Sequence, residues 1–195
     1  WTMRLLKSLP RAISGLRGGD DRLLRAVIGV MEVNNIHVVG AHEITPDLLT
    51  PTGVLTRRAP DAQGNRDIEA GAEAARAIGL LDIGQAAIAI GGRAIALEGI
   101  EGTDGLLERT IGLRSHGRLA GKTGGALVKC FKPQQDQRAD LPAIGPDTIT
   151  AAKAAGLAGI ALDAGRTFML DFEGTVAAAD AAGLYIVGIE PPGKP

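Results

Sequence analysis

Residues 129–148, KCFKPQQDQRADLPAIGPDT, set three cations, Lys129, Lys132 and Arg138, among three carboxylates, Asp136, Asp140 and Asp147. Pro133, Pro142, Gly145 and Pro146 keep much of the run out of regular structure. Ammonium and guanidinium groups grip phosphate oxygens, the guanidinium two at a time. Carboxylates beside them suit a hard divalent cation, and Mg²⁺ needs only one or two, because water and phosphate oxygens complete its octahedron. A second acidic cluster, EGTD at 101–104, adds Glu101 and Asp104, while Thr103 at a helix start brings backbone N–H donors suited to an anion. Glu101, Asp104, Asp136 and Asp140 are therefore candidate ligands for Mg²⁺ or Mn²⁺. Lys129, Lys132 and Arg138 are candidate contacts to a diphosphate. Such a set suits phosphoryl transfer or pyrophosphate hydrolysis, where positioning and charge stabilisation supply most of the catalysis. Taken singly, each charge is better explained as a solvated surface group, and EGTD as a capped helix with exposed acids. The density of the 129–148 run is what argues for a site.

Other chemistries find little support. No HExxH, GxSxG, Walker A, CxxC or GxGxxG pattern occurs. The lone cysteine, Cys130, excludes an intramolecular disulfide or a cysteine-built zinc site, and fits a reducing compartment. A formal net charge of −1 argues against a general nucleic-acid binder. Of the three histidines, His42 in GAHE follows an apolar run at a junction where α/β sheets place ligands. It is a candidate substrate contact, though a histidine alone is more often structural.

These clusters require elements to present them. Leu23, Leu24, Val27, Ile28 and Met31 recur at helical spacing, which predicts a helix over 20–33. A short buried strand is expected over 36–39. Residues 45–63, with Pro46, Pro51, Gly53 and Pro60, read as a linker, with a domain boundary near Arg58. Beyond it come a helix over 66–78 capped by Gly79 and a hairpin of strands 85–90 and 93–98 about Gly91-Gly92. A helix capped by Thr103 or Asp104, a loop over 114–124 and a strand over 126–131 follow. Pro146 opens the next helix, which Gly156 closes. AAKAAGLAGIAL and AAADAAGLYIVGI share one grammar of helix, capping glycine and buried strand, and Asp163–Arg166 reads as another hairpin turn. The fold class is α/β with a mixed sheet. If strands 93–98 and 126–131 share that sheet, their ends present EGTD and the charged run on one rim. No apolar stretch reaches the ~18–20 residues of a membrane span. Aromatics make up only 3% of the chain, so the core must be aliphatic.

GAHEITPDLL, DIGQAAI, EGTDGLLER, the 129–148 run and the two closing helix–strand units together resemble the UDP-2,3-diacylglucosamine pyrophosphatase family of lipid A biosynthesis. This is the alphaproteobacterial type, distinct from the calcineurin-like enzyme. The resemblance implies Mg²⁺-dependent hydrolysis of UDP-2,3-diacylglucosamine to UMP and 2,3-diacylglucosamine 1-phosphate. It implies that Asp140 is the essential acid, with Glu101 and Asp104 next, and that Lys132, Gln135 and Arg138 contact the diphosphate. It also implies a Rossmann-like first domain. The chain begins with Trp rather than Met, so residues 1–58 are expected to be the remnant of that domain and 59–195 the catalytic domain. The expected setting is cytoplasmic, peripheral on the inner membrane through the lipid substrate, with a homodimer as a candidate assembly and no nucleic acid. The rival expectations are a nucleotide-sugar-binding module and a regulatory module of the same shape without hydrolysis.

Overall fold

Strands that are apolar toward both faces belong in the middle of a sheet, covered by helices on either side. Two such segments, β4 (Ala126–Lys129) and β6 (Gly159–Asp163), are buried along their whole length. The computed structural model describes residues 20–119 and 121–191. In chain order the remaining elements are α1 (Asp20–Val33), α2 (Ala41–Ile44), a 3-10 turn at Pro46–Leu48, β1 (Gly53–Val54), α3 (Ala62–Leu80), β2 (Ala86–Ala89), β3 (Ala94–Leu97) and α4 (Gly102–Leu113). A second 3-10 turn, Gly117–Leu119, precedes β4, and after β4 come β5 (Ala143–Ile144), α5 (Pro146–Ala154), β6, β7 (Phe168–Met169), α6 (Phe172–Ala182) and β8 (Tyr185–Ile189).

The main sheet runs β1-β8-β6-β4-β2-β3. Its centre, β4, β6 and β8, is parallel, while β2 is antiparallel to both β4 and β3, and β1 is antiparallel to β8. The mixed sheet is as expected. Alternation sorts the core into two layers. Ile88, Leu127, Ile160, Leu162 and Ile186 face one side, where they meet Leu106 and Leu107 of α4, Ile149 of α5 and Ala179 of α6. Ala87, Val128, Ala161 and Tyr185 face the other, against Ile68, Ala72 and Ala75 of α3. Each buried leucine or isoleucine contributes roughly 1.5–3 kcal/mol by leaving water. The α3 side uses small residues because the helix lies close: a Cβ on Gly71 would come within 2.4 Å of a Val128 methyl.

Several local expectations hold. The 20–33 helix forms at the expected bounds. The hairpin forms about Gly91 (φ 69°) and Gly92 (φ 75°), both left-handed as a type I′ turn requires. Gly156 and Gly183, at φ 68° and 70°, terminate α5 and α6. Each helix end is closed by a backward bond, Leu157 N–H to Ala152 O and Leu184 N–H to Ala179 O.

Others are corrected. No strand forms over 36–39, where Ile36 and Val39 are exposed and, among the described residues, have no neighbouring strand to pair with. The described residues before Gly53 hold two helices and a 3-10 turn, so the Rossmann-like remnant is not seen in them. The part of that expected domain before residue 20 lies outside the described residues. The stretch expected as a linker carries an edge strand: β1 pairs with β8, Leu55 N–H donates to Ile186 O, and buried Thr50 donates its hydroxyl to Thr167 O. Helix α3 runs through Gly79, and the left-handed residue after it is Asp82 (φ 55°). The turn at 163–166 does not fold β7 back on β6. Instead β7 leaves the sheet and pairs in parallel with β5, because the β8 strand already occupies the free side of β6. Among the described residues no helix is long and apolar enough to cross a membrane.

Candidate functional site

Because β3 and β4 are both antiparallel to β2, they run the same way and end on the same rim. They are not adjacent, since β2 lies between them, but the rim brings the two polar clusters together as expected. A cavity of about 450 Å³ opens there, lined by Glu101, Thr103 and Asp104 from one cluster and by Lys129 and 143–148 from the other, with Leu170. Two helix starts converge on it, those of α4 and α5. Helix starts carry unsatisfied N–H groups and partial positive charge, which favour an anion, while Glu101, Asp104 and Asp147 on the same walls favour a cation beside it.

Lys129 is the last residue of β4 and is buried, with its ammonium donating to Ala143 O at 3.0 Å. Burial holds its pKa below the usual lysine range, while the fields of Glu98, Asp104 and Asp140 oppose that shift. These three carboxylates therefore lie within electrostatic reach of one buried cation. Glu98, also buried, accepts the Gln85 N–H at 2.7 Å and the Thr103 hydroxyl at 2.6 Å. It thus ties the end of β3 to the first turn of α4. Thr103 and Asp104 lie inside that turn rather than capping it, and the N-cap position is Glu101, without a side-chain cap bond. The Glu101 carboxylate is held by Arg109 at 2.7 Å.

The other candidate residues form a second layer. Gln135 is buried and donates to Asp140 Oδ2 at 2.8 Å. Lys132 pairs with Asp82 at 2.7 Å. Arg138 binds Asp136 through Nε and Nη2, at 3.0 and 2.7 Å, and reaches Glu32 on α1. The guanidinium holds Asp136 below the usual carboxylate range. Asp140, Gln135, Lys132, Asp136, Arg138 and His42 are not among the residues lining the cavity. His42 packs its ring over Gly40, and its Nδ1 is buried without a hydrogen-bond partner.

Among the described residues no three His, Cys, Asp or Glu side chains are gathered to cage a metal. An ion that keeps waters and takes phosphate oxygens needs less, and Glu101 with Asp104 on the cavity wall provide oxygen donors of the right kind. Cys130 is buried, and burial with the nearby Asp163 pushes its thiol pKa up, so it is no thiolate ligand.

Three contributors were not singled out from the sequence. Glu98 stood as the end of the expected 93–98 strand, and its bonds to Gln85 and Thr103 are what show that it turns inward. Asp163 is buried, accepts the Phe131 N–H at 3.0 Å and binds Arg76 at 3.1 Å, and so anchors the start of the charged run. Its place at the end of an apolar strand was the available signal. Gly145–Thr148 lay within the charged run, but its backbone was read as a helix start, and its place as a cavity wall comes from the fold.

Fold and rim define an α/β protein with a buried lysine, clustered carboxylates and two helix starts around one cavity. The family model described as the LpxI C-terminal domain matches residues 51–187. The chain is also 43% identical over 194 residues to UDP-2,3-diacylglucosamine pyrophosphatase LpxI of Caulobacter vibrioides, covering 98% of this chain and 69% of that protein. The chain belongs to the LpxI family.

Proposed function

We propose that the chain hydrolyses the pyrophosphate of UDP-2,3-diacylglucosamine, giving UMP and 2,3-diacylglucosamine 1-phosphate for lipid A synthesis. The observation that carries this reading is the 43% identity, over nearly the whole chain, to a protein of that named activity. The rim supports it chemically. Lys129 and the N-termini of α4 and α5 suit a diphosphate, and a preorganised cation stabilises charge that develops as the anhydride bond breaks. Asp140, oriented by Gln135, is the proposed essential acid. Lys132 and Arg138 are proposed to act on the substrate from the surrounding layer after exchanging their present carboxylate partners. Where a divalent ion binds, Glu101 and Asp104 would hold it with Asp140 nearby, and it would supply neutralisation of phosphate charge. The cytoplasmic setting, with contact to the inner membrane through the acyl chains, belongs to the same proposal.

Phosphorus NMR of the chain with UDP-2,3-diacylglucosamine and Mg²⁺ tests this. Appearance of UMP and the sugar 1-phosphate in equal amounts is expected. Thermal stabilisation by the substrate with no product would contradict hydrolysis and identify a binding module instead.

A further inference from the structure

Leucine and isoleucine side chains crowd one stretch of the rim beside Glu101. Leu80 closes α3, Leu81 and Ile83 stand in the turn that leads to β2, Leu97 ends β3, and Ile100 stands just beyond it. All five are exposed, Leu81 at 71% and Ile100 at 107%. They share a rim because α3 ends, and β2 begins, where β3 and β4 end. The turn is also pressed against the end of β3. Ile83 N–H donates to Ile78 O, Gln85 N–H donates to Glu98 Oε2 at 2.7 Å, and a Cβ on Gly84 would stand 2.4 Å from Glu98 O. Apolar side chains gathered this way lose free energy in water, and an exposed apolar patch with a polar border marks an interaction surface.

Two observations say what this patch meets. Ile100 is followed by Glu101, a wall of the cavity, so the patch borders the mouth. A protein seated on it would stand across the way in, whereas a bilayer would deliver a substrate there. The hydrolytic reading gives that substrate acyl chains, which stay in hydrocarbon while the diphosphate must reach Lys129. The charges among these residues are also matched. Asp82, between Leu81 and Ile83, pairs with Lys132 at 2.7 Å, and Glu101 pairs with Arg109 at 2.7 Å. Neither acid is left unpaired to be repelled by anionic headgroups.

We infer that Leu80, Leu81, Ile83, Leu97 and Ile100 form the surface by which the chain docks on a lipid bilayer. Ile100, at a tip between Gly99 and Gly102, enters the hydrocarbon. The inference rests on the lipid substrate of the proposed function and names the surface that meets the membrane holding it. Apolar contact of this kind lies within the interface and needs no spanning helix.

Cosedimentation of the chain with sucrose-loaded vesicles of phosphatidylethanolamine and phosphatidylglycerol, without substrate, tests it. Binding that persists in high salt is expected, because salt screens charges and not apolar insertion. Ile100→Ser, and Leu80→Ser combined with Leu81→Ser, should each weaken it about tenfold or more, the factor that burial of such a side chain supplies. Val54→Ser, also at an exposed residue but on the far edge of the sheet, should leave it unchanged. These variants should melt with the parent, since the side chains they alter face water. UMP release from substrate in detergent micelles reads the chemistry separately. Vesicle binding without release removes the hydrolytic reading and keeps this surface, and release without vesicle binding does the reverse. The inference is overturned by no binding, by binding equally weakened in Val54→Ser, or by binding unchanged in both patch variants. It is also overturned by a dimer in sedimentation velocity that Ile100→Ser dissolves, which assigns the surface to a second copy.

Discussion

The side-chain amide of Gln135 donates to Asp140 Oδ2 at 2.8 Å, and it does so from a buried position. A buried amide has few alternative partners, so it fixes the direction in which the carboxylate points. Small displacements near reacting atoms are costly, with misplacement of about 1 Å lowering rates by about 10²-fold. Gln135→Ala should therefore lower kcat by roughly tenfold to a hundredfold, with less change in KM. Steady-state kinetics checks this, and an unchanged kcat would remove Gln135 from the site.

Lys129 should set a basic limit on activity. Burial lowers its pKa, so the ammonium is lost at lower pH than for a solvated lysine, and phosphate affinity is lost with it. The stability effect has the opposite sign to that of a paired lysine. Between the lowered folded value and the ordinary lysine value, the unfolded chain binds more protons than the fold, so stability from this group rises with pH. Below that window the cost of the buried charge is fully present. Lys129→Met should abolish the basic limb along with most turnover, and should flatten the rise in melting temperature on the alkaline side. Matched pH profiles of rate and melting measure both.

Asp163 should be needed for folding rather than chemistry. It is buried against Arg76 and the Phe131 N–H. Removing one member of a buried charge pair typically costs about 3–5 kcal/mol. Asp163→Ala should lower the denaturation midpoint far more than Asp140→Asn does, as urea unfolding would read.

Activity should require a divalent cation held by oxygen rather than sulfur. Excess chelator should stop product formation, and Mg²⁺ or Mn²⁺ should restore it. Cys130→Ala should leave the metal dependence unchanged, because the thiol is buried and its pKa raised. Full turnover in chelator would end the metal assignment.

Where a feature depends on local chemistry, it was legible. The two glycines of the hairpin, Pro146 at a helix start and Gly156 at its end follow from backbone preference alone. The shared rim was also within reach, because strand ends and polar clusters coincide along the chain. Features that depend on distant partners were not legible. Residues 36–39 have a strand's composition but, among the described residues, no strand beside them to pair with, and proline-rich 45–63 looks like a linker until β8 offers an edge to β1. The acids behave alike in sequence. Glu98 turns inward to Gln85 and Thr103, Asp136 is held by Arg138, and only the packed structure separates them.

Hydrolysis by the acids and lysine of one rim can be read from UMP release from UDP-2,3-diacylglucosamine by the chain and by Asp140→Asn, side by side with their melting temperatures. Metal-dependent release is expected from the parent chain, with loss of most of it in the variant and melting within a few degrees. Release by Asp140→Asn at the parent rate would contradict it.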